Sequence, residues 1–216
     1  MNIIDTRSNI NFINPHRCIK NIPLFQIKGV EYELKSKNFT DIIFQSIPSV
    51  EFFNESNILE NKRIYTMGAS TKEFLLKKGI DSVCPKIPGS FELNKLILNN
   101  EDHAKYLIVK GKDGLSDVYN HLDKNGKNAQ ELICYKRFKL KNYEIFKEDF
   151  FKADAVIFSS IFAVKIFFDE IYSKDVNAKL FGISNRIIDH ISSLGYKARL
   201  IDYFSDNLIK SIKDSI

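Results

Sequence analysis

Asp154-Ala155-Val156-Ile157-Phe158-Ser159-Ser160 opens the stretch whose reading decides the fold, which runs on to Gly195. Its apolar run stops at two serines, passes into Val164-Lys165-Ile166-Phe167-Phe168, and is followed by a second short strand ending at Gly182. Residues 41–79 repeat this grammar. Phe44, Ser46, Ile47, Val50, Phe53 and Gly68 match Phe158, Ser160, Ile161, Val164, Phe167 and Gly182 at a constant offset of 114 residues. A short continuous apolar run followed by helical spacing reads as a buried parallel strand with its crossover helix. Each copy is thus a strand, a Ser-bearing turn, a helix, and a second strand delivering Gly and Ser/Thr into another helix.

The second helix of each copy carries its own stop and start signals. Ser70 stands three residues before Glu73, which predicts a capping box, and Gly79 follows Lys77-Lys78 as a C-terminal stop. In the later copy Ser184 is expected to cap a helix with Ile187, Ile188, Ile191 and Leu194 on one face, closed by Gly195. Strands therefore end at helix N-termini, where unpaired backbone N–H groups and hydroxyls gather and anions bind.

Outward from the repeat, residues 40–134 read as one complete unit. Strand signals occur at 42–44, 63–67, 83–87, 106–110 and 131–135, with helical patterns between most of them. After Gly111, Leu115, Val118 and Leu122 share a helix face that Gly126 closes. Alternating strands and helices with short connections point to a doubly wound parallel sheet. Next, Lys136-Arg137-Phe138-Lys139-Leu140-Lys141 alternates basic and apolar residues at period two, the mark of an edge or ribbon strand with one wet face. Residues 150–216 supply only three strand signals, so strands at 3–6 and 23–27 are expected to complete that unit. Residues 8–21, with Pro15 among them, show no convincing first helix, and 31–39 read as a polar link.

The expected fold is α/β: two flavodoxin-like parallel-sheet domains, one inserted in the other, joined by a two-stranded connector that acts as a hinge. One domain comprises 1–30 plus 142–216, the inserted one 37–134, and the connectors lie near 28–36 and 135–142.

The 216 residues are 44% hydrophobic and 27% charged, enough apolar material for a real core, and 32 Lys and Arg against 27 Asp and Glu leave a charge of +5. That mild excess suits an anionic ligand, although a solubilising surface explains it equally. Cys18, Cys84 and Cys134 are odd in number and lack metal or redox spacing, so free thiols in a reducing, cytoplasmic setting are expected. Met1-Asn2-Ile3-Ile4-Asp5-Thr6-Arg7 lacks the apolar core of a signal peptide or anchor, and no apolar run approaches the ~20 residues of a membrane span.

His16, His103, His121 and His190 show no metal-ligand spacing, so no metal site is expected. There is no GxGxxG, no GxxxxGK[ST] and no GxSxG, and the basic residues are not interleaved with aromatics in the manner of a nucleic-acid surface. What remains is a two-domain protein with hydroxyls and backbone amides at its strand ends, expected to face a cleft.

These residues resemble the uroporphyrinogen-III synthase family. The features are Thr6-Arg7 at a strand end, Phe44-Gln45-Ser46 with Ser49, Gly68 with Ser70-Thr71, Lys110-Gly111, Tyr135 opening the second connector, Phe158-Ser159-Ser160, and Gly182 with Ser184-Asn185. No single motif is specific; their order and spacing are. Lys110 stands where Arg is usual, losing a fork for carboxylates, and Asn185 where Thr is usual.

The resemblance implies two α/β domains joined by a two-stranded ladder, and closure of hydroxymethylbilane to uroporphyrinogen III with loss of water and inversion of the last ring, without a cofactor. The substrate carries eight carboxylates, which helix N-termini, hydroxyls, Arg and Lys can hold. It would be received from hydroxymethylbilane synthase by a monomer, with no nucleic-acid or membrane partner. On this reading Tyr135 is the acid catalyst, since a phenol with pKa near ~10 is protonated at neutral pH. Arg7, Ser46, Ser49, Ser70, Thr71, Lys110, Ser159, Ser160, Ser184 and Asn185 are the substrate-binding candidates. Taken alone, Tyr135 reads as a packing tyrosine and the Ser and Thr residues as caps and turns. The basic residues 136, 137, 139 and 141 read as solvated. A non-catalytic two-domain protein closing on a small anion is the alternative.

Overall fold

The computed structural model of the protein describes residues 1–8, 19–98, 103–203 and 205–215. In chain order its elements are β1 (Ile3–Asp5), β2 (Ile19–Asn21), β3 (Phe25–Gly29), β4 (Asp41–Phe44), α1 (Ile47–Glu51), β5 (Arg63–Thr66), α2 (Ala69–Leu76), α3 (Ser90–Leu98), β6 (Lys105–Gly111) and α4 (Asp117–Lys124). There follow β7 (Asn128–Lys139), α5 (Glu144–Phe151), β8 (Ala155–Phe158), α6 (Ile161–Ile166), β9 (Lys179–Gly182), α7 (Asn185–Ser193), β10 (Ala198–Leu200) and α8 (Leu208–Lys213). The chain divides into two compact units, Met1–Gln26 with Phe138–Ile216, and Ile27–Arg137. Pro15, His16 and Cys18 lie outside the described residues, as does most of the segment that lacked helix signal.

The unit made of both chain ends holds a sheet in the order β10-β9-β8-β1-β2, every pair parallel. β8 is buried at all four positions, as a central parallel strand requires. Alternation sends Ala155 and Ile157 to a core with Ile3, Phe181 and Ile212, while Phe158 packs on Phe167 with ring centroids 5.2 Å apart. The second N-terminal strand of this sheet is Ile19–Asn21, not 23–27 as expected. Ile22 N still donates to Asp5 O, but Pro23 brings no N–H, and the chain leaves to form β3 in the other sheet.

The inserted unit holds the order β3-β7-β6-β4-β5, with β7, β6, β4 and β5 mutually parallel. Successive residues alternate between two cores: Ile42, Phe44, Leu107 and Val109 pack on one face, Ile43, Tyr106 and Ile108 on the other. Of the strand expected at 83–87, Val83 alone makes a ladder contact, a parallel bridge to Tyr65, because Pro85 and Pro88 cannot donate to a ladder. That bridge extends the β4 side beyond β5, so the two units are not wound alike: β4 is followed outward by two extended segments, β1 by one. Leu115 is 47% exposed ahead of α4, whose buried face is Val118 and Leu122. The segment 31–39 is no bare link, since Tyr32 stacks on Phe53 and Phe39 is buried in the same core.

The repeat is real in three dimensions, with one slip. β4 and β8 keep the offset of 114, and Ser46 and Ser160 both cap the following helix in extended conformation. Beyond that helix the offset becomes 116: β5 ends at Thr66 and Gly68 is the N-cap of α2, whereas β9 ends at Gly182 and Ser184 is the N-cap of α7. Gly68 and Gly182 are therefore not equivalent. Ser70 lies inside α2, so its expected capping box with Glu73 does not form. Gly79 does terminate α2, at φ +76°.

Candidate functional site

In the inserted unit the site is built at the ends of β4 and β6 and at the point where β7 passes the end of β6. β6 and β7 run in register until Lys110 opposes Ile133 and Gly111 opposes Tyr135, leaving Cys134 as an extra residue. A bulge re-aims the side chains after it. Cys134 and Tyr135 are consecutive yet both buried, and the Tyr135 ring lies across the backbone of Gly111. A Cβ on Gly111 would stand 2.4 Å from both Cε2 and Cζ of Tyr135, so glycine is required for this close approach.

The Tyr135 hydroxyl meets Ser46. Their oxygens are 2.9 Å apart, with Ser46 at the N-cap of α1. Ser46 Oγ also accepts from Ser49 N at 3.3 Å, and Ser49 Oγ accepts from Ser46 N at 3.0 Å, a reciprocal box that fixes the Ser46 rotamer. Ser49 is fully buried and bonded within the turn. Lys110 is buried rather than solvated: Nζ donates to Glu131 Oε1 and Ser116 Oγ, each at 2.8 Å. Gln45 Nε2 donates to Leu115 O at 3.1 Å, tying the end of β4 to the loop after β6. Ser70 and Thr71 stand in the first turn of α2, and β4 and β5 are neighbours, so this turn shares a sheet edge with Ser46.

The other unit places Arg7, Ser159, Ser160, Ser184 and Asn185 at the ends of three adjacent strands, β1, β8 and β9. Ser160 Oγ accepts from Ala163 N at 3.2 Å. Ser184 is the N-cap of α7 without a side-chain capping bond, and Asn185 opens the helix. Arg7 N donates to Asp5 Oδ1 at 3.0 Å, Tyr203 Oη donates to Asp5 Oδ2 at 2.5 Å, and the Arg7 guanidinium lies 3.8 Å from the Tyr203 ring centroid. Burial raises the Asp5 carboxyl above its ordinary range against the opposing pull of Tyr203 and Arg7, and burial followed by the Asp5 bond pushes the Tyr203 phenol upward.

In open parallel sheets ligands sit outside the carboxyl ends of the strands where the winding direction reverses. That reversal falls between β1 and β8 in one sheet and between β4 and β6 in the other. Arg7 and Ser159-Ser160 flank the first; Ser46 and Lys110-Gly111, with Tyr135 beside them, flank the second. The sequence candidates thus gather at one edge of each sheet. Glu131, Asp5 and Tyr203 are not among the residues the sequence singles out for the site, although an Asp set among the apolar residues of β1 and a Glu inside β7 were the available signals; Gln45 stood in the Phe44-Gln45-Ser46 motif without a role of its own. Among the described residues no group of three His, Cys, Asp or Glu could hold a metal ion.

The family model described as "Uroporphyrinogen-III synthase HemD" matches residues 21–205. The chain belongs to the uroporphyrinogen-III synthase family. This is a family of hydro-lyases that act on hydroxymethylbilane in porphyrin and haem biosynthesis. Among solved structures, the uroporphyrinogen-III synthetase of Helicobacter pylori matches with a TM-score of 0.74 at 17% identity, covering 99% of this chain and 98% of that one. A mutant uroporphyrinogen III synthase of the extremely thermophilic bacterium Thermus thermophilus matches with a TM-score of 0.61 at 12% identity, covering 99% and 98%. At such identities the likeness is one of fold, a mixed α/β architecture with two parallel-dominated sheets. No curated protein sequence matches the chain. No helix among the described residues is long and apolar enough to cross a membrane.

Proposed function

We propose that this member of the family closes hydroxymethylbilane to uroporphyrinogen III with Tyr135 as its acid catalyst, and the observation that carries this is the 2.9 Å Ser46–Tyr135 contact at the winding reversal of the inserted unit. Tyr135 gives its phenolic proton to the departing substrate hydroxyl, which leaves as water. Ser46 Oγ, already accepting from Ser49 N, turns its own proton toward the phenolate. To invert the last ring, the freed methylene of the first ring is attacked by the substituted α-carbon of the last ring. The bond from that carbon to its original bridging methylene then breaks, and that methylene bonds the ring's free α-carbon. The proton lost from this carbon restores the phenol, so the net loss is one water.

The carboxylates are taken by Arg7, by Ser159 and Ser160, by the first turn of α2 at Ser70-Thr71, and by the first turn of α7 at Ser184-Asn185, where orphan N–H groups and hydroxyls serve anions. Ser49 and Lys110 act from behind, Ser49 holding Ser46 and Lys110 holding the loop at Ser116. Because the linear substrate closes unaided to the wrong isomer, orientation is the main task, worth up to ~7–11 kcal/mol in favourable systems.

We further propose a flavodoxin-like winding for the unit of both chain ends, supported by its strand order, and a two-stranded connector near 28–36 and 135–142, supported by the adjacency of β3 and β7 in one sheet and by the unit boundaries that fall within those two strands. On either side of that connector the domains run over 1–30 plus 142–216 and over 37–134. A monomer in the cytoplasm, supplied by hydroxymethylbilane synthase, completes it. The test is to give purified protein freshly generated hydroxymethylbilane, oxidise the products and resolve the porphyrin isomers. Type III in excess of a protein-free control is expected; type I alone from folded protein refutes the reading.

A further inference from the structure

Tyr203 reaches Asp5 across 198 residues of sequence, and Arg7 touches both, Asp5 through its backbone N–H and the Tyr203 ring through its guanidinium. The backbone of Arg7 is held at both ends: its N–H by Asp5 Oδ1, and its carbonyl by Asn21 Nδ2 at 2.9 Å, which also donates to Asp5 O. Asp5 is 1% exposed, so its two oxygens are committed inside the protein rather than to solvent. The phenol ring that one of those oxygens anchors carries the Arg7 guanidinium on its face, and a hydroxyl hydrogen-bonded to a carboxylate enriches that face in electron density. Tyr203 also lines a cavity of about 310 Å³ with Ile183, Leu200, Ile201 and Asp202. Ile183 immediately precedes Ser184, which places this wall at the same strand-end edge as the α7 N-terminus.

We propose that Tyr203 is a positioning residue, anchored by Asp5, that holds the Arg7 guanidinium at the end of β1 to receive a carboxylate of the substrate. The inference rests on the proposed function for the identity of that substrate. An Arg side chain free in solvent must lose its rotamer freedom on meeting a carboxylate; one laid against a fixed ring has lost part of it already. Tyr203 thus acts on affinity through Arg7, not on the chemical step.

Two readouts separate the possibilities: type III isomer formation from hydroxymethylbilane, and binding of uroporphyrin III followed by fluorescence. Tyr203→Phe keeps the ring and removes its anchor; Tyr203→Leu removes both. We expect KM and the uroporphyrin Kd to rise about threefold in Tyr203→Phe and about tenfold in Tyr203→Leu, with kcat within about twofold of the parent. In an Arg7→Ala background, Tyr203→Leu should add less than about twofold. A full-sized loss in that background, or a loss confined to kcat, overturns the proposal. Should Tyr203→Leu not fold by circular dichroism, the same cycle with Tyr203→Phe decides. A parent that forms no type III isomer but binds uroporphyrin III with the Arg7–Tyr203 coupling intact refutes the proposed function and leaves the positioning role standing. A parent that neither turns over nor binds refutes both.

Discussion

Ser46 Oγ and Tyr135 Oη lie 2.9 Å apart although 89 residues separate them. The contact joins a helix cap, which fixes Ser46, to the residue after a bulge, which re-aims Tyr135. Tyr135→Phe should lower kcat by about 100-fold or more with little change in KM, the size of a lost general acid. Ser46→Ala should cost about 1 kcal/mol of stability as a lost cap and also reduce kcat. In a Tyr135→Phe background its kinetic effect should vanish while the stability cost persists. Steady-state kinetics and urea melts of the four proteins check this.

Gly111→Ala tests the close approach. The new methyl would meet the Tyr135 ring at 2.4 Å, so the ring must leave Ser46 or the strands must part. We expect a loss of about 1–3 kcal/mol, the usual cost of overpacking, together with a kcat close to that of Tyr135→Phe. Normal isomer yield from Gly111→Ala would show that ring placement is immaterial.

Cys134 should be inert. Burial pushes its thiol up to about 12, and the thiolate is the reactive form. A thiol whose folded value is raised contributes stability fully present below its unfolded value near 9.0, lost as pH climbs toward about 12. At pH 8, labelling with iodoacetamide read by mass spectrometry should modify half-buried Cys84 and spare Cys134 until denaturant is added. Rapid native labelling of Cys134 would contradict the packing described.

Asp5 predicts a pH signature. Its carboxyl is raised chiefly by burial, so the folded chain holds its proton more tightly than the unfolded one. The contribution to stability is full below the unfolded value of 3.8 and is lost as pH rises through the folded value. The parent minus the Asp5→Asn variant, compared by thermal melts from pH 7 downward, should therefore show a difference that grows in the parent's favour as pH falls. A flat difference would mean that Asp5 is not desolvated.

The sequence by itself determined the repeated strand–serine–helix unit, the buried strands β4 and β8, and the pair of caps at Ser46 and Ser160, because apolar periodicity and capping chemistry are local. It also marked Tyr135 and Lys110-Gly111, through order and spacing along the chain. Only the tertiary structure decided which sheet received β2 and which received β3, since that rests on a proline's missing N–H and on partners distant in sequence. Tertiary contacts alone buried Lys110 against Glu131 and brought Tyr203 to Asp5 and Arg7. Such pairings depend on how strand ends meet across a sheet, and a linear pattern carries side-chain period but not strand neighbours.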